Sequence, residues 1–345
     1  MQPFEARIQV QNVGVIGAGS WGTSLAFLLA DKGYDVTIWA YEQEVVDSIN
    51  QDHENRLFLP DIELPKNLRA SNSLEETCTG KDLIVVVTPS HVTRMVMGQA
   101  VPFLPKHVPI VCATKGIEND TYKLVYEILE DVLPMDFHPW LAFLSGPTFA
   151  RELALRMPTN VVCASYSERL ATEVQHIFHH TYFRTYRSVD VVGVELGGSL
   201  KNVIAIAAGA ASGMGFGYNT TAGLITRGLA EMSRLAVAMG ANPMTLAGLT
   251  GMGDLVLTCT GGLSRNRQVG MELGKGRTIE EILGEMKMVA EGVKTAKSVY
   301  GLAQKMNVEM PICEQVYEVL YEGKRTDKAL QDLMGRELRR ESFGW

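Results

Sequence analysis

A lysine–asparagine pair stands where its neighbours are apolar. Lys201 and Asn202 lie within VGVELGGSLKNVIAIAAGAASGM, an alanine-rich helical run over 192–214 in which Glu195 is the other strongly polar side chain. A helix this apolar is buried on most sides, so Lys201 is expected in the interior or at the wall of a cleft. Burying an ammonium without a partner is costly and draws its pKa down from about 10.4, toward the range where a lysine exchanges protons. A lysine can also snorkel past the helix end to water, and the helix pattern alone leaves both readings open. Further on, GLTGMGDLVLTCTGGLSRN over 248–266 puts Asp254 and Thr258 four residues apart, on one face of a helix. Ser264-Arg265-Asn266 then opens another helical run. A helix start that carries a serine, an arginine and free N–H groups is a ready anion site. Each of these residues also has a plainer role, Ser264 as an N-cap, Arg265 as a solvated side chain and Asp254 as a helix cap among glycines.

The elements that must position these groups begin with an apolar run, Val10 to Ile16, leading into Gly17-Ala18-Gly19-Ser20-Trp21-Gly22. A helix from Thr23 to Asp31 and a second strand from Val36 to Trp39 follow. Strand, GxGxxG, helix and strand in this order predict a dinucleotide-binding unit. Gly17 allows the tight turn, Gly19 the approach of a pyrophosphate, and Gly22 the packing of helix on strand. An acidic residue ending the second strand would hold a ribose 2′-hydroxyl, and an arginine a 2′-phosphate. Here the chain reads Trp39-Ala40-Tyr41-Glu42-Gln43, with no cation, so NAD and NADP both stay open. Tyr41 is either a platform for adenine or a surface aromatic.

Strands at Leu83–Val87, Ile110–Ala113 and Leu141–Leu144 alternate with helical stretches, which implies a parallel sheet covered on both faces. Ligands bind outside the carboxyl ends of such strands, which places Lys115 and the turn Gly146-Pro147-Thr148 at the cofactor's edge. Asn160–Ala164 and Phe183–Tyr186 read as late additions to the sheet. Beyond Val192 the pattern is helical, with runs at 221–239 (capped by Gly240), 278–286, 295–306, 313–322 and 328–338. The fold class expected is therefore α/β plus all-α: a Rossmann-type doubly wound sheet over 1–190 and a helical substrate domain over 191–345.

Composition narrows the function. A net charge of −7 argues against general nucleic-acid binding. The five cysteines show no CxxC and no metal-ligand spacing, so no metal site is expected and a reducing compartment is. No segment reads as a membrane span and the N-terminus lacks an apolar signal core, so a soluble, cytoplasmic protein is expected.

Long motifs then carry a resemblance. GAGSWGTSLA at 17–26, TKGIE at 114–118, SGPTFARE at 145–152, LKNVIAIAAG at 200–209, TRGLAEMSRL at 226–235, GLTGMGDLVLTCT at 248–260, SRN at 264–266 and EGVKTA at 291–296 resemble the bacterial-type NAD(P)-dependent glycerol-3-phosphate dehydrogenases. The resemblance implies reversible reduction of dihydroxyacetone phosphate to sn-glycerol 3-phosphate, for phospholipid synthesis, with a phosphorylated small molecule as substrate and a homodimer as the assembly. It makes Lys201 the acid–base, with Lys115, Asn202, Asp254 and Thr258 around the substrate. Gly146, Thr148, Ser264, Arg265 and Asn266 match substrate-contacting positions. Ser20, Trp21, Tyr41, Lys115, Ala150, Arg265, Val289 and Glu291 match nucleotide-contacting ones. The alternatives are a two-domain dehydrogenase of hydroxy or sugar acids, and a dinucleotide-binding protein without turnover.

Overall fold

The structure is a computed structural model that describes residues 8–286, 290–338 and 340–341. Its first half alternates strands β1 (Asn12–Ile16), β2 (Asp35–Trp39), β3 (Leu68–Ser71), β4 (Leu83–Val86), β5 (Ile110–Cys112), β6 (Leu141–Ser145), β7 (Thr159–Ala164) and β8 (Phe183–Ser188) with helices. The helices are α1 (Ser20–Asp31), α2 (Gln43–Asp52), α3 (Leu74–Cys78), α4 (Ser90–Ala100), α5 (Val125–Val132), α6 (Ala150–Ala154) and α7 (Glu168–Phe178). The strands form one sheet in the order β3-β2-β1-β4-β5-β6-β7-β8. Val13, Val15, Leu83, Val85 and Val111 are sealed in one apolar layer, and Ile16, Ile84, Val86 and Ile110 in another, as expected for strands covered on both faces.

The expectation of a parallel sheet holds from β3 across to β6 and fails at the next pairing. β7 runs antiparallel to β6, and β8 follows β7 in parallel. The reason is the connection after β6: it contains only the five-residue α6, whose Ala150 carbonyl accepts the Ser24 hydroxyl of α1 at 2.7 Å, so the chain doubles back instead of crossing over. β3, with its arginine and serine in a four-residue strand, has no apolar run to announce it.

The second half is helical: α8 (Val191–Gly213), α9 (Tyr218–Ala238), α10 (Pro243–Leu246), α11 (Asp254–Thr260), α12 (Arg265–Gly274), α13 (Ile279–Glu285), α14 (Glu291–Met306), α15 (Pro311–Tyr321) and α16 (Thr326–Met334). Asp190 caps α8 by accepting the Gly193 N–H at 2.9 Å. The last helix is shorter than expected, ending before Gly335, and α14 begins earlier, at Glu291. α8 is long and apolar enough to cross a membrane, contrary to expectation, yet 89% of its most apolar stretch is buried inside the protein. It is the axis of the helical core. Where α8 meets α12 the two backbones touch: a Cβ on Gly209 would lie 2.1 Å from the Arg267 carbonyl oxygen, and one on Gly270 2.0 Å from that of Ile206. This contact holds Asn202 of α8 against Asn266 of α12. All five cysteines are free and buried.

Candidate active site

Lys201 does not snorkel. It is 5% exposed, and its ammonium is ion-paired with Oδ1 of Asp254, which is wholly buried at the first turn of α11. The other oxygen of Asp254 accepts from Lys115 Nζ at 3.0 Å. One carboxylate therefore stands between two ammonium groups, one from the loop after β5 and one from the core helix. Burial pulls the Lys201 pKa down to about 7; Asp254 opposes that shift and the Lys115 charge adds to it. Asp254 is aimed by a π-helical turn, Leu249–Gly253, that precedes α11. Thr258, one turn on, donates its hydroxyl to the Asp254 carbonyl at 2.6 Å.

Lys115 also reaches the Gly146 carbonyl at 3.2 Å, which accepts from the Thr148 hydroxyl at 3.2 Å as well. The loops after β5 and β6 thus converge on the ionic cluster at the carboxyl edge of the sheet. Two residues hold this loop without a motif to reveal them. Ser199, 1% exposed, accepts the Gly116 N–H at 2.9 Å and donates to the Glu195 carbonyl at 2.8 Å. Gly198 leaves room for the loops, since a Cβ there would sit 2.5 Å from the Ser145 hydroxyl and 3.6 Å from the Lys115 side chain. A serine two residues before a lysine, inside an otherwise apolar helix, is the signal that could have found Ser199.

The next cluster lies along α8, α12 and α14. Asn202 Oδ1 accepts from Asn266 Nδ2 at 3.0 Å, and Asn266 Oδ1 accepts the Gly292 N–H at 2.9 Å. Asn266 is thereby a clamp between three helices as well as a wall of the site. Ser264 fills the plain role, its hydroxyl accepting the Arg267 N–H at 3.2 Å as the N-cap of α12. Arg265 is half-buried at the start of that helix; burial lowers its pKa and Glu291 opposes the shift. Glu291 opens α14 and accepts from the Ser90 hydroxyl at 3.1 Å.

The glycine loop has the shape a dinucleotide needs. Gly17 has φ +116°, and a Cβ on Gly22 would meet the Gly17 carbonyl oxygen at 1.9 Å. At Gly19 a Cβ would meet nothing within 4 Å, so the backbone there borders open space. Gly19 is the N-cap of α1 and supplies no side chain to the first N–H groups, which leaves them for an anion. The Ser20 hydroxyl donates to the Phe58 carbonyl at 2.7 Å. Trp21 keeps a buried indole N–H with no partner among the described residues beside the loop, an orphan that a bound group would satisfy. Tyr41 is 81% exposed beyond β2, edge-on to Trp39. Val289 lies outside the described residues.

Comparison with known proteins places the chain in a family. Residues 12–171 match the family model for the NAD-dependent glycerol-3-phosphate dehydrogenase N-terminus, and residues 190–331 that for the C-terminus. A glycerol-3-phosphate dehydrogenase [NAD(P)+] of Citrifermentans bemidjiense is 59% identical over 96% of this chain and 99% of its own. That of Myxococcus xanthus is 56% identical over 96% and 98%. The crystal structure of glycerol-3-phosphate dehydrogenase from Coxiella burnetii superposes with a TM-score of 0.90 at 38% identity, covering 95% of this chain and 99% of that one.

Proposed function

The chain belongs to the NAD-dependent glycerol-3-phosphate dehydrogenase family and is an oxidoreductase that uses NAD or NADP, and we propose that it interconverts dihydroxyacetone phosphate and sn-glycerol 3-phosphate with Lys201 as the proton donor and acceptor. The observation that carries the reading is the buried Lys201–Asp254–Lys115 cluster facing the loops at the carboxyl edge of the sheet. In this reading residues 1–190 hold the nucleotide and residues 191–345 supply most of the substrate site.

Gly17, Gly19, Gly22 and the first N–H groups of α1 would hold the pyrophosphate, with Trp21, Tyr41, Ala150 and Glu291 along the nucleotide. When bound, the nicotinamide supplies or accepts the hydride. In reduction the carbonyl oxygen gains negative charge, and the Lys201 ammonium gives it a proton as the C–O π pair becomes a lone pair. In oxidation neutral Lys201 takes the hydroxyl proton. A pKa drawn to about 7 suits both directions. Asp254 keeps Lys201 aimed, and Lys115 adds positive potential where the oxyanion forms. Arg265 and the start of α12 bind the phosphate, with Ser264, Asn266, Asn202 and Thr258 shaping the wall. The product would serve phospholipid synthesis. A cytoplasmic location suits a chain whose cysteines are all free, and a homodimer is the expected assembly.

Initial rates with dihydroxyacetone phosphate and with an unphosphorylated hydroxyketone test this, using NADH and NADPH in parallel. Arg265→Ala is expected to raise the KM for the phosphorylated ketone at least tenfold while leaving the poor rate on the unphosphorylated one unchanged. Equal losses on both substrates would remove Arg265 from the phosphate site.

A further inference from the structure

At the amino ends of β1, β2 and β3, on the edge of the sheet away from the glycine loop, a cavity of about 340 Å³ is lined by Lys66, Arg69 and Lys81 together with Asp35 and Thr37. A cavity of this size holds a small metabolite. Lys81 is 8% exposed, and among the described residues its ammonium has one hydrogen-bond acceptor, the Thr37 hydroxyl, at 2.9 Å. Arg69 Nε is directed to the same hydroxyl at 3.2 Å. Two cations thus share one neutral oxygen: Lys81 is buried there and bears the desolvation cost, Arg69 is exposed, and their like charges repel. Among the described residues no carboxylate lies within ion-pair distance of Lys66, Arg69 or Lys81.

The nearby acids are engaged elsewhere. Asp35 Oδ2 accepts from the Gln11 side chain at 3.0 Å, and Asp82 Oδ2 accepts the N–H groups of Gln11 and Asn12 at 3.0 and 2.8 Å. Burial and the Arg69 charge lower the Lys81 pKa, while Cys78, Asp35 and Asp82 oppose the shift more weakly. The proposed catalytic chemistry uses none of these residues.

We propose that this cavity is an accessory binding site for a small polyanion, a phosphorylated or polycarboxylate metabolite, held between Lys81, Arg69 and Lys66. The anion would accept the ammonium donors that Thr37 leaves unsatisfied and separate the like charges. A net charge of −7 on the chain disfavours a nucleic acid or an anionic membrane as the occupant, and a half-open volume of about 340 Å³ suits a small molecule.

Calorimetric titration with pyrophosphate, and separately with citrate, tests this at constant ionic strength against a sodium chloride control. The pyrophosphate and citrate arms distinguish phosphate from carboxylate as the recognised chemistry. The expected result is a binding event in the wild type that weakens at least tenfold in the Lys66→Ala/Arg69→Ala double variant, with kcat and KM unchanged in anion-free buffer. It should survive in Arg265→Ala. In thermal melts the rise in Tm with the bound anion should vanish in Lys81→Met. Failure of both anions to bind, unchanged affinity in the double variant, or loss of all binding with Arg265→Ala alone would overturn the proposal, whatever the outcome for catalysis.

Discussion

The core helix α8 buries two ionisable side chains, Glu195 and Lys201, and treats them differently. Lys201 meets a buried carboxylate and faces loops that end at the sheet's carboxyl edge. Glu195 is 8% exposed; one of its oxygens accepts the Tyr126 N–H at 3.1 Å and the other is buried with no partner among the described residues. Desolvation lowers the lysine to about 7 and raises the glutamate to about 8, so both sit near neutrality. A shifted pKa therefore does not by itself mark a catalytic group. The distinction is made by what surrounds it: Lys201 has charged partners at the mouth of a site, whereas Glu195 closes the start of α5 inside the core.

The two residues also work in opposite directions on stability. The raised Glu195 is protonated in the folded chain and ionised in the unfolded one between pH 4.5 and about 8, so its contribution is full below that window and declines as pH rises through it. The lowered Lys201 is neutral when folded and protonated when unfolded between about 7 and 10.5, so its contribution rises across that window. Together they place a minimum of stability between about 7 and 8.

The largest expected effect separates the pair outright. Lys201→Ala should lower kcat by about 10²–10⁴ while cofactor affinity, followed by fluorescence titration, stays within about threefold, because the glycine loop lies elsewhere. Near-normal turnover would end the assignment. In the wild type, kcat/KM for reduction should fall as pH rises through about 7, and that for oxidation should fall as pH drops through it, since the two directions need the charged and neutral lysine. Profiles that move together would place the titration on another group.

Ser199→Ala probes the link between the two regions, since Ser199 bonds to both the Lys115 loop and the Glu195 carbonyl. Losing the acceptor for the buried Gly116 N–H costs about 1–3 kcal/mol. The expected signature is a roughly tenfold lower kcat with little change in KM, because Lys115 is misplaced where charge develops. A loss of Tm with unchanged kcat would reduce Ser199 to a packing residue.

Glu195→Gln should do least to catalysis, leaving kcat within about twofold. Chemical denaturation from pH 5 to 8 should show a flatter stability profile than the wild type, with the variant ahead at pH 8 by an amount on the order of a few kcal/mol. An unchanged slope would mean that Glu195 is ionised in the core.

Local pattern made several things legible. The apolar run of 203–211 required a buried helix, the strand–GxGxxG–helix order required the nucleotide fold, and the four-residue spacing put Asp254 and Thr258 on one face. Other features were beyond it. The reversal of β7 depends on a short helix docking on α1, and the use of Asn266 as a clamp depends on Gly292 of another helix.

The lysine marks the boundary between the two kinds of information. Composition and periodicity determined that Lys201 lies on an apolar helix, because that depends on residues within a few turns of it. Whether its ammonium reached water or a carboxylate was decided by tertiary structure alone, because Asp254 and Lys115 come from a different helix and a strand-end loop. Electrostatic partners are set by distance in space, and only the close contact of α8 with its neighbours supplies that distance.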